Sequence, residues 1–103
     1  MADLQQLLQL GQQMQGRIQQ LQADLAGQTV DASAGGGLVR VQVDGRGSVR
    51  AVEIAPEAFE RRDAELLADL VLAAVAEAQR RAADLAKAEI RKAQSPLPNL
   101  TSP

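Results

Sequence analysis

Residues 39–44 alternate valine with a polar side chain, and this alternation constrains the fold more than any other feature of the sequence. Period-2 alternation is typical of a β-strand with one buried face. The dipeptide Asp44-Gly45 follows and predicts a hairpin turn, because both residues tolerate the positive φ of tight turns. A second strand is predicted over residues 48–54, and Pro56 ends it because proline has no N–H for the ladder. The chain is therefore predicted to fold around one antiparallel hairpin.

A heptad pattern of apolar side chains predicts a first helix over residues 3–26. We call this row the apolar seam, and it consists of Leu4, Leu7, Gly11, Met14, Ile18, Leu21 and Leu25. Asp3 and Gln6 are expected to form a capping box at the start of the helix, and Gly27 is expected to end it. Glutamine fills most of the outer face, which predicts a solvated surface because Gln is an uncharged helix former.

A second long helix is predicted over residues 64–93, with Asp63 as its N-cap. One broad apolar face is formed by Leu66, Leu67, Leu70, Val71, Ala74, Val75, Ala78 and Leu85. Glu77 and Arg81 have the i,i+4 spacing of an ion pair on the opposite face. The alanine-rich later part of this helix favours helicity and allows a partner helix to approach closely.

The remaining segments are shorter. Residues 28–34 are predicted as a first strand, and residues 34–37 as a glycine-rich turn into the hairpin. Residues 56–60 are predicted as one helical turn, with Phe59 filling the junction between the sheet and the helices. Residues 95–103 contain three prolines and no periodicity, which predicts a disordered tail.

The composition excludes several classes of function. The 103 residues include no Cys and no His, which excludes disulfides, thiolate nucleophiles, the usual zinc sites and imidazole acid–base chemistry. No carboxylates are marked by their spacing as a catalytic pair, so we expect neither an enzyme nor a cofactor, a metal or a small-molecule substrate. The net charge of −2 by itself argues against avid binding to nucleic acid or anionic membrane. Without a membrane-spanning run or a signal peptide, a cytoplasmic protein is expected.

The lengths of the elements predict that both helices overhang the sheet. At 1.5 Å per residue the helices would be roughly 36 Å and 45 Å long. Three strands make a sheet only about 15 Å wide and about 25 Å long. Because both overhangs leave the same region, the seam residues Leu4, Leu7 and Leu8 are expected to meet Leu85 and Ile90 in a two-helix arm. The predicted fold is α+β: helix, three-stranded antiparallel sheet, short helical turn and long helix.

The predicted arm carries an excess of cations. Its second helix contains Arg80, Arg81, Lys87, Arg91 and Lys92 but only Asp84 and Glu89 in the same stretch. Together with Arg17 these cations could form a basic strip. Cations near a helix C-terminus also complement the helix macrodipole, so both interpretations stay open at this point. A second set lies on or beside the hairpin and consists of Arg40, Arg46 and Arg50.

Three segments in this order resemble one known family. They are LGQQMQGRIQQLQADL, GLVRVQVDGRGSVRAVEIAPE and ELLADLVLAAVAEAQRRAADLAKAEI. The match covers about residues 3–93 and resembles the YbaB/EbfC family of bacterial nucleoid-associated proteins. No single motif is diagnostic, but the ordered set, including V-E-I-x-P after the hairpin and D-L-V-x-A-A in the second helix, is fairly specific.

The resemblance implies a tweezer-like homodimer that binds duplex DNA with little or variable sequence preference and organises the chromosome in the nucleoid. It implies one domain over residues 1–94, followed by the tail at residues 95–103. The DNA contacts it implies are the arm residues Arg17, Arg80, Arg81, Lys87, Arg91 and Lys92. The alternative is an acidic, dimeric, coiled-coil-like protein-interaction module with incidental DNA affinity, which the net charge and the heptads favour.

Overall fold

The computed structural model of the protein describes residues 3–94, and its elements follow the predicted order. They are helix α1 (Leu4–Ala26), strands β1 (Thr29–Ala34), β2 (Val39–Asp44) and β3 (Val49–Ile54), the short helix α2 (Glu57–Glu60) and the long helix α3 (Ala64–Gln94). The strands form one antiparallel sheet in the order β1-β2-β3. The predicted α+β fold is therefore confirmed, whereas the predicted tail at residues 95–103 lies outside the described residues.

The core lies between α3 and one face of the sheet. The valine alternation in β2 works as predicted, because Val39, Val41 and Val43 are at most 1% exposed. They form one cluster with α3 residues that are equally buried, namely Ala74, Ala78 and Ala82. Alanine carries no side chain beyond Cβ, so α3 can lie close against the valines. The helix packs on β1 and β2, and Val52 of the edge strand β3 remains 44% exposed.

The turn between β2 and β3 is longer than predicted. The backbone N–H of Asp44 donates to the carbonyl of Ser48 at 2.9 Å, and the N–H of Gly47 donates to the carbonyl of Asp44 at 2.9 Å. The positive φ of this turn occurs at Gly47, at +89°, and not at Gly45 as the dipeptide signal suggested. The register also shifts beside the turn, where Val43 pairs with Val49. A bulge of this kind bends the strand pair and increases its twist.

Asp44 organises this turn from a buried position, with 3% of its surface exposed. One carboxylate oxygen accepts hydrogen bonds from the backbone N–H groups of Arg46 and Ser48, at 2.9 and 3.0 Å. The other oxygen accepts two from the Arg50 guanidinium, at 3.2 and 2.9 Å. Burial raises the pKa of Asp44, but the bonds from Ser48, Arg46 and Arg50 outweigh it and hold the pKa below its ordinary value. The carboxylate is therefore charged and fully partnered.

Gly45 fixes the end of α1 to the sheet. Its backbone N–H donates to the carbonyl of Leu25 at 2.8 Å. A Cβ at this position would collide with that same carbonyl oxygen. Glycine is therefore needed at this position because the two backbones approach closely. A positive φ is not the reason, since Gly45 does not adopt one.

Replacing Gly45 with alanine is expected to destabilise the fold, because the added methyl must displace the last turn of α1. We expect the free energy of unfolding to fall by about 1–3 kcal/mol, the usual range for overpacking a tight contact. Chemical denaturation followed by far-ultraviolet circular dichroism measures this loss. A Gly45→Ala protein as stable as the wild type would show that α1 is not anchored at this turn.

Helix α1 projects from the sheet, and the molecule measures 72 × 33 × 18 Å. The expected contact of Leu4, Leu7 and Leu8 with Leu85 and Ile90 is wrong, because the three α1 leucines are 72%, 58% and 60% exposed. Within residues 3–94, α1 makes no extensive contact with any other element. The predicted overhang is present, but its apolar side stays uncovered by the chain itself.

The ends of α1 also differ in detail from the prediction. Asp3 occupies the N-cap position, but its side chain makes no capping hydrogen bond, so the capping box is not formed. Gly27 ends the helix with φ −82°, a right-handed conformation that any residue adopts. Its N–H reaches back to the carbonyls of Ala23 and Asp24 at 3.2 Å, which continues the helical pattern by one residue.

The junction between α2 and α3 is filled differently from the prediction. Phe59 is 60% exposed, and the neighbouring Ala58 is buried in its place. Successive helical residues point about 100° apart, so a single turn of helix can direct only one of the two inward. Asp63 caps α3 as predicted, since its carboxylate accepts a hydrogen bond from the N–H of Leu66 at 3.0 Å. Among the described helices none is long and apolar enough to cross a membrane.

Candidate nucleic-acid interface

The six residues predicted to contact DNA lie on two helices, and all six are exposed. Arg17 lies on the projecting part of α1. The other five lie on α3 near or beyond Ala82, which is the last α3 residue in the buried core. Since the two helices make no extensive contact within residues 3–94, the structure distributes these cations along two projections and does not gather them into one cluster.

Three of the α3 cations form a row on the side turned away from the sheet. We call this row the outer strip, and it consists of Arg80, Lys87 and Arg91. Their spacing of seven and four residues keeps them on one face of a helix. That face is opposite the buried Ala78, because Arg80 follows it by about 200° around the helix. The strip is roughly 16 Å long at 1.5 Å per residue.

Glu77 holds the first arginines of α3. Its carboxylate accepts hydrogen bonds from Arg80 at 2.6 and 3.0 Å and from Arg81 at 3.1 Å. Arg80 also donates to Asp84 at 3.1 Å. The hydrogen bond from Arg80 is the main cause that lowers the pKa of Glu77 from 4.5 to about 2, and the same bond raises the pKa of Arg80. The i,i+4 pair of Glu77 and Arg81 expected from the sequence is thus one part of a larger set of ion pairs. We call the contacts of Glu77 with Arg80 and Arg81 the Glu77 clamp.

Two further cations of the predicted set have partners. Arg81 donates from Nη1 to the backbone carbonyl of Asp31 at 2.8 Å, which ties α3 to the edge strand β1. Lys92 pairs with Glu89 at 3.7 Å, a weaker and exposed contact. Arg81 therefore also helps to hold α3 against the sheet. The local sequence could not predict this contact, because Asp31 lies 50 residues earlier in the chain.

Arg17, Lys87 and Arg91 make no ion pair within the described residues. We call these three residues the free arm cations. They are exposed and lie on the helices that project from the sheet, so a polyanion could reach them without breaking an internal contact. Of the predicted set, these three have the geometry that a surface binding site needs.

Arg46 is a further candidate that the predicted set omitted. It lies in the β2–β3 turn, and its side chain is exposed. The side-chain amide of Gln79 donates to the carbonyl of Gly47 at 3.0 Å, which places this turn beside α3. Gln79 directly precedes Arg80 in the sequence. The local sequence does not indicate that the turn lies beside α3, because Gln79 and Gly47 are 32 residues apart.

The open face of the sheet carries a shallow depression of about 350 Å³ with a different character. Arg40 and Arg81 line it together with Asp31 and Glu53, and the other lining residues are Ala32, Ser33, Val41, Gln42 and Ala51. In the sheet register Arg40 lies directly opposite Glu53. Charges of both signs alternate here, so this face lacks the single-sign field that attracts a polyanion.

Comparisons with known proteins identify the relatives of this chain. The family model described as the YbaB/EbfC DNA-binding family matches residues 1–97. A nucleoid-associated protein of Desulfotalea psychrophila is 40% identical over 102 residues, which cover 97% of this chain and 96% of the relative. A nucleoid-associated protein of Acetivibrio thermocellus is 44% identical over 86 residues, covering 84% of this chain and 76% of the relative.

A solved structure supports the fold. An uncharacterised protein from Helicobacter pylori superimposes with a TM-score of 0.79 at 21% identity, covering 92% of this chain and all of that chain. A likeness at this identity establishes the shared fold, and the sequence matches establish the kinship. This chain belongs to the YbaB/EbfC DNA-binding family of nucleoid-associated proteins.

Proposed function

We propose that this protein acts as a homodimer that binds duplex DNA in the bacterial nucleoid, with little sequence preference, and organises the chromosome. The free arm cations, Arg17, Lys87 and Arg91, neutralise backbone phosphates, and Arg80, Arg81 and Lys92 contribute to the field around them. Phosphate contacts carry no sequence information, which fits a protein that binds along a chromosome. Membership in a DNA-binding family supports this function over an enzymatic one.

The observation that carries the proposal is the separation of charge within an acidic protein. The net charge is −2, yet residues 77–92 contain five cations against Glu77, Asp84 and Glu89. Carboxylates pair with Arg80, Arg81 and Lys92 and leave Lys87 and Arg91 unpaired within the described residues. Local field and accessible cations decide attraction to a polyanion, so the net charge does not exclude DNA binding.

Fluorescence anisotropy of a labelled random duplex, titrated from about 50 to 200 mM salt, tests this function. Each phosphate contact releases condensed counterions and contributes about −0.9 to the slope of log affinity against log salt. Three free arm cations on each of two protomers therefore predict a slope of about −5. Duplexes of unrelated sequence should bind equally well. An absence of binding at the lowest salt would contradict the proposal. Membership in the family would then support the fold of this chain but not the proposed function.

Removing the Glu77 clamp is expected to strengthen DNA binding. Glu77→Gln deletes one carboxylate and releases the guanidinium groups of Arg80 and Arg81 from it. One added phosphate contact on each of two protomers should raise affinity at least roughly 5–10-fold at about 0.1 M salt. Because the pKa of Glu77 is about 2, the clamp is complete above pH 4.5 and is lost only as the pH falls toward 2. Acidification within the neutral range cannot reproduce the substitution.

The matched control is Glu65→Gln, which changes the net charge equally but lies in the first turn of α3, far from the outer strip. Anisotropy should show little change for this variant. Equal gains for both variants would mean that overall charge sets the affinity and that the clamp is irrelevant.

The exposed apolar seam favours a second candidate, the protein-interaction module. In that case self-association would persist at high salt, and duplex DNA would bind negligibly near physiological ionic strength. The same anisotropy series decides between the two, because only phosphate binding gives the steep salt slope.

A further inference from the structure

The β2–β3 turn, residues 45–48, contacts both of the long helices. The backbone N–H of Gly45 donates to the carbonyl of Leu25 in the last turn of α1, at 2.8 Å. On the other side, the side-chain amide of Gln79 in α3 donates to the carbonyl of Gly47 at 3.0 Å. The two helices make no extensive contact with each other within residues 3–94. In the described chain, the turn therefore connects two elements that are otherwise apart.

Both long helices leave the sheet at the end where this turn lies. Helix α1 ends just before Thr29, and Thr29 pairs with Asp44, the residue that precedes the turn. Helix α3 runs toward the same end, because Leu70 lies beside Gly35 in the turn between β1 and β2, whereas Gln79 bonds to the β2–β3 turn. The part of α3 after the buried core then extends past the sheet. The turn thus lies at the base of both projections.

The outer surface of the turn is cationic, although the protein is acidic overall. Arg46 is exposed and makes no ion pair within residues 3–94. Arg50 pairs with Asp44, but only the cation reaches the surface, since the Arg50 side chain is 61% exposed and the Asp44 side chain 4%. Asp24 of α1 accepts a hydrogen bond from Gln20 at 3.0 Å and does not pair with Arg46. A polyanion approaching the turn therefore meets positive charge.

The backbone of Arg46 is held in place by buried hydrogen bonds. Its N–H donates to the Asp44 carboxylate at 2.9 Å, and the N–H of Ser48 donates to the same oxygen at 3.0 Å. Gly47 supplies the positive φ that this geometry requires, at +89°. A cation on a fixed backbone loses less conformational freedom on binding than one on a flexible loop. The turn therefore presents Arg46 as a preorganised contact.

We propose that Arg46 binds a backbone phosphate of the same duplex that the two projecting helices hold. The β2–β3 turn is then a DNA contact made by the sheet itself, at the base of the projections. The proposal rests on the proposed function and adds a contact that neither helix provides. Asp44 acts as a positioning residue, because it holds the backbone of Arg46 and does not reach the surface. Phosphate contacts from a fixed element set the orientation of a protein on its duplex.

The spacing of the cations fits one duplex. Arg17 lies nine residues before the end of α1, roughly 14 Å along the helix from the level of the turn. Lys87 lies eight residues after Gln79, roughly 12 Å along α3 from the same level. These lengths match the width of the major groove, about 12 Å, which separates the phosphates of its two strands. Arg17, Arg46 and Lys87 can therefore contact phosphates of a single duplex together.

The first test compares Arg46→Gln with Arg61→Gln by fluorescence anisotropy of a labelled random duplex. Arg61 is also exposed, but it lies beside Leu38 and Leu70 at the opposite end of the sheet. Arg46→Gln should lower affinity at least roughly 5–10-fold at about 0.1 M salt and reduce the salt slope by about 0.9 for each protomer. Arg61→Gln should leave both quantities nearly unchanged. Circular dichroism should show both variants folded, because both side chains are exposed.

The second test locates the duplex without removing a cation. The chain has no cysteine, so Ser48→Cys introduces a single thiol in the turn, and Ser33→Cys is the matched control on the open face of the sheet. Both serines are exposed. Saturating random duplex should slow the reaction of the Ser48→Cys thiol with N-ethylmaleimide at least roughly 5-fold, since nearby phosphates block access and disfavour the reactive thiolate. The Ser33→Cys thiol should react at the same rate with and without duplex.

The outcomes separate this proposal from the proposed function. If the wild type binds with a steep salt slope but Arg46→Gln binds equally well, the turn is not a DNA contact and the function of the helices stands. Equal losses for Arg46→Gln and Arg61→Gln would also overturn the contact, because overall charge would then explain both. An unprotected Ser48→Cys thiol in saturating duplex would have the same meaning. A wild-type protein that does not bind duplex at the lowest salt would refute both proposals.

Discussion

Replacing Arg17, Lys87 and Arg91 together with glutamine is expected to lower affinity for duplex DNA at least roughly 100-fold at about 0.1 M salt. These three cations have no ion pair within residues 3–94, so their removal breaks no internal contact and should leave the fold intact. The loss should be equal for duplexes of different sequence, because phosphates are common to all of them. The salt slope should lose most of its magnitude.

Anisotropy at several salt concentrations measures both quantities. Arg40→Gln/Arg61→Gln/Arg62→Gln is the matched control, since it removes the same charge from exposed positions on the open sheet face and before α3. Its affinity should change much less. If both triple variants lose affinity equally, DNA responds to overall charge and the arms do not grip it.

Ala78→Leu is expected to cause the largest loss of stability. Ala78 is 0% exposed and packs in one cluster with the β2 valines, so three added carbon atoms must push α3 away from the sheet. Overpacking costs about 1–3 kcal/mol and sometimes more, and we expect the upper end here because α3 covers the whole core. A small domain is stable by only about 5–15 kcal/mol in total.

Urea denaturation followed by circular dichroism measures the loss, since the chain has no Trp to report by fluorescence. The protein concentration must be fixed, because a dimer gains apparent stability with concentration. Ala76→Leu, on an exposed position of the same helix, should change the free energy of unfolding by less than about 0.5 kcal/mol. Equal stability of the two variants would show that α3 does not seat tightly on β2.

Local patterns predicted the elements well because their causes are local. The alternation in β2, the Asp63 cap of α3 and the apolar face over Ala74 and Ala78 each follow from neighbouring residues. The prediction for the turn was wrong at Gly45. Glycine is needed there because the backbone carbonyl of Leu25, a residue 20 positions earlier, leaves no room for a Cβ. Contacts of this kind are decided by the assembled fold.

The candidate site was predictable in outline only. Charge counting found the cation-rich part of α3 but could not separate Lys87, which has no ion pair in the described chain, from Arg80, which Glu77 and Asp84 hold. The heptads of α1 predicted an apolar side but not its partner, since a stripe of leucines fits any other stripe. The prediction that Phe59 fills the junction was wrong for a related reason. An aromatic side chain in a one-turn helix can point toward the core or toward solvent.

The projecting α1 helix has a consequence for how the protein behaves on a sizing column. The radius of gyration is 20.4 Å, whereas a compact chain of this length would have about 13 Å. Elution volume depends on hydrodynamic size, so a single elongated chain would elute where a considerably heavier globular protein does. A column calibrated with globular standards would therefore report an oligomer for a monomer. Mass has to be determined by light scattering or another shape-independent method.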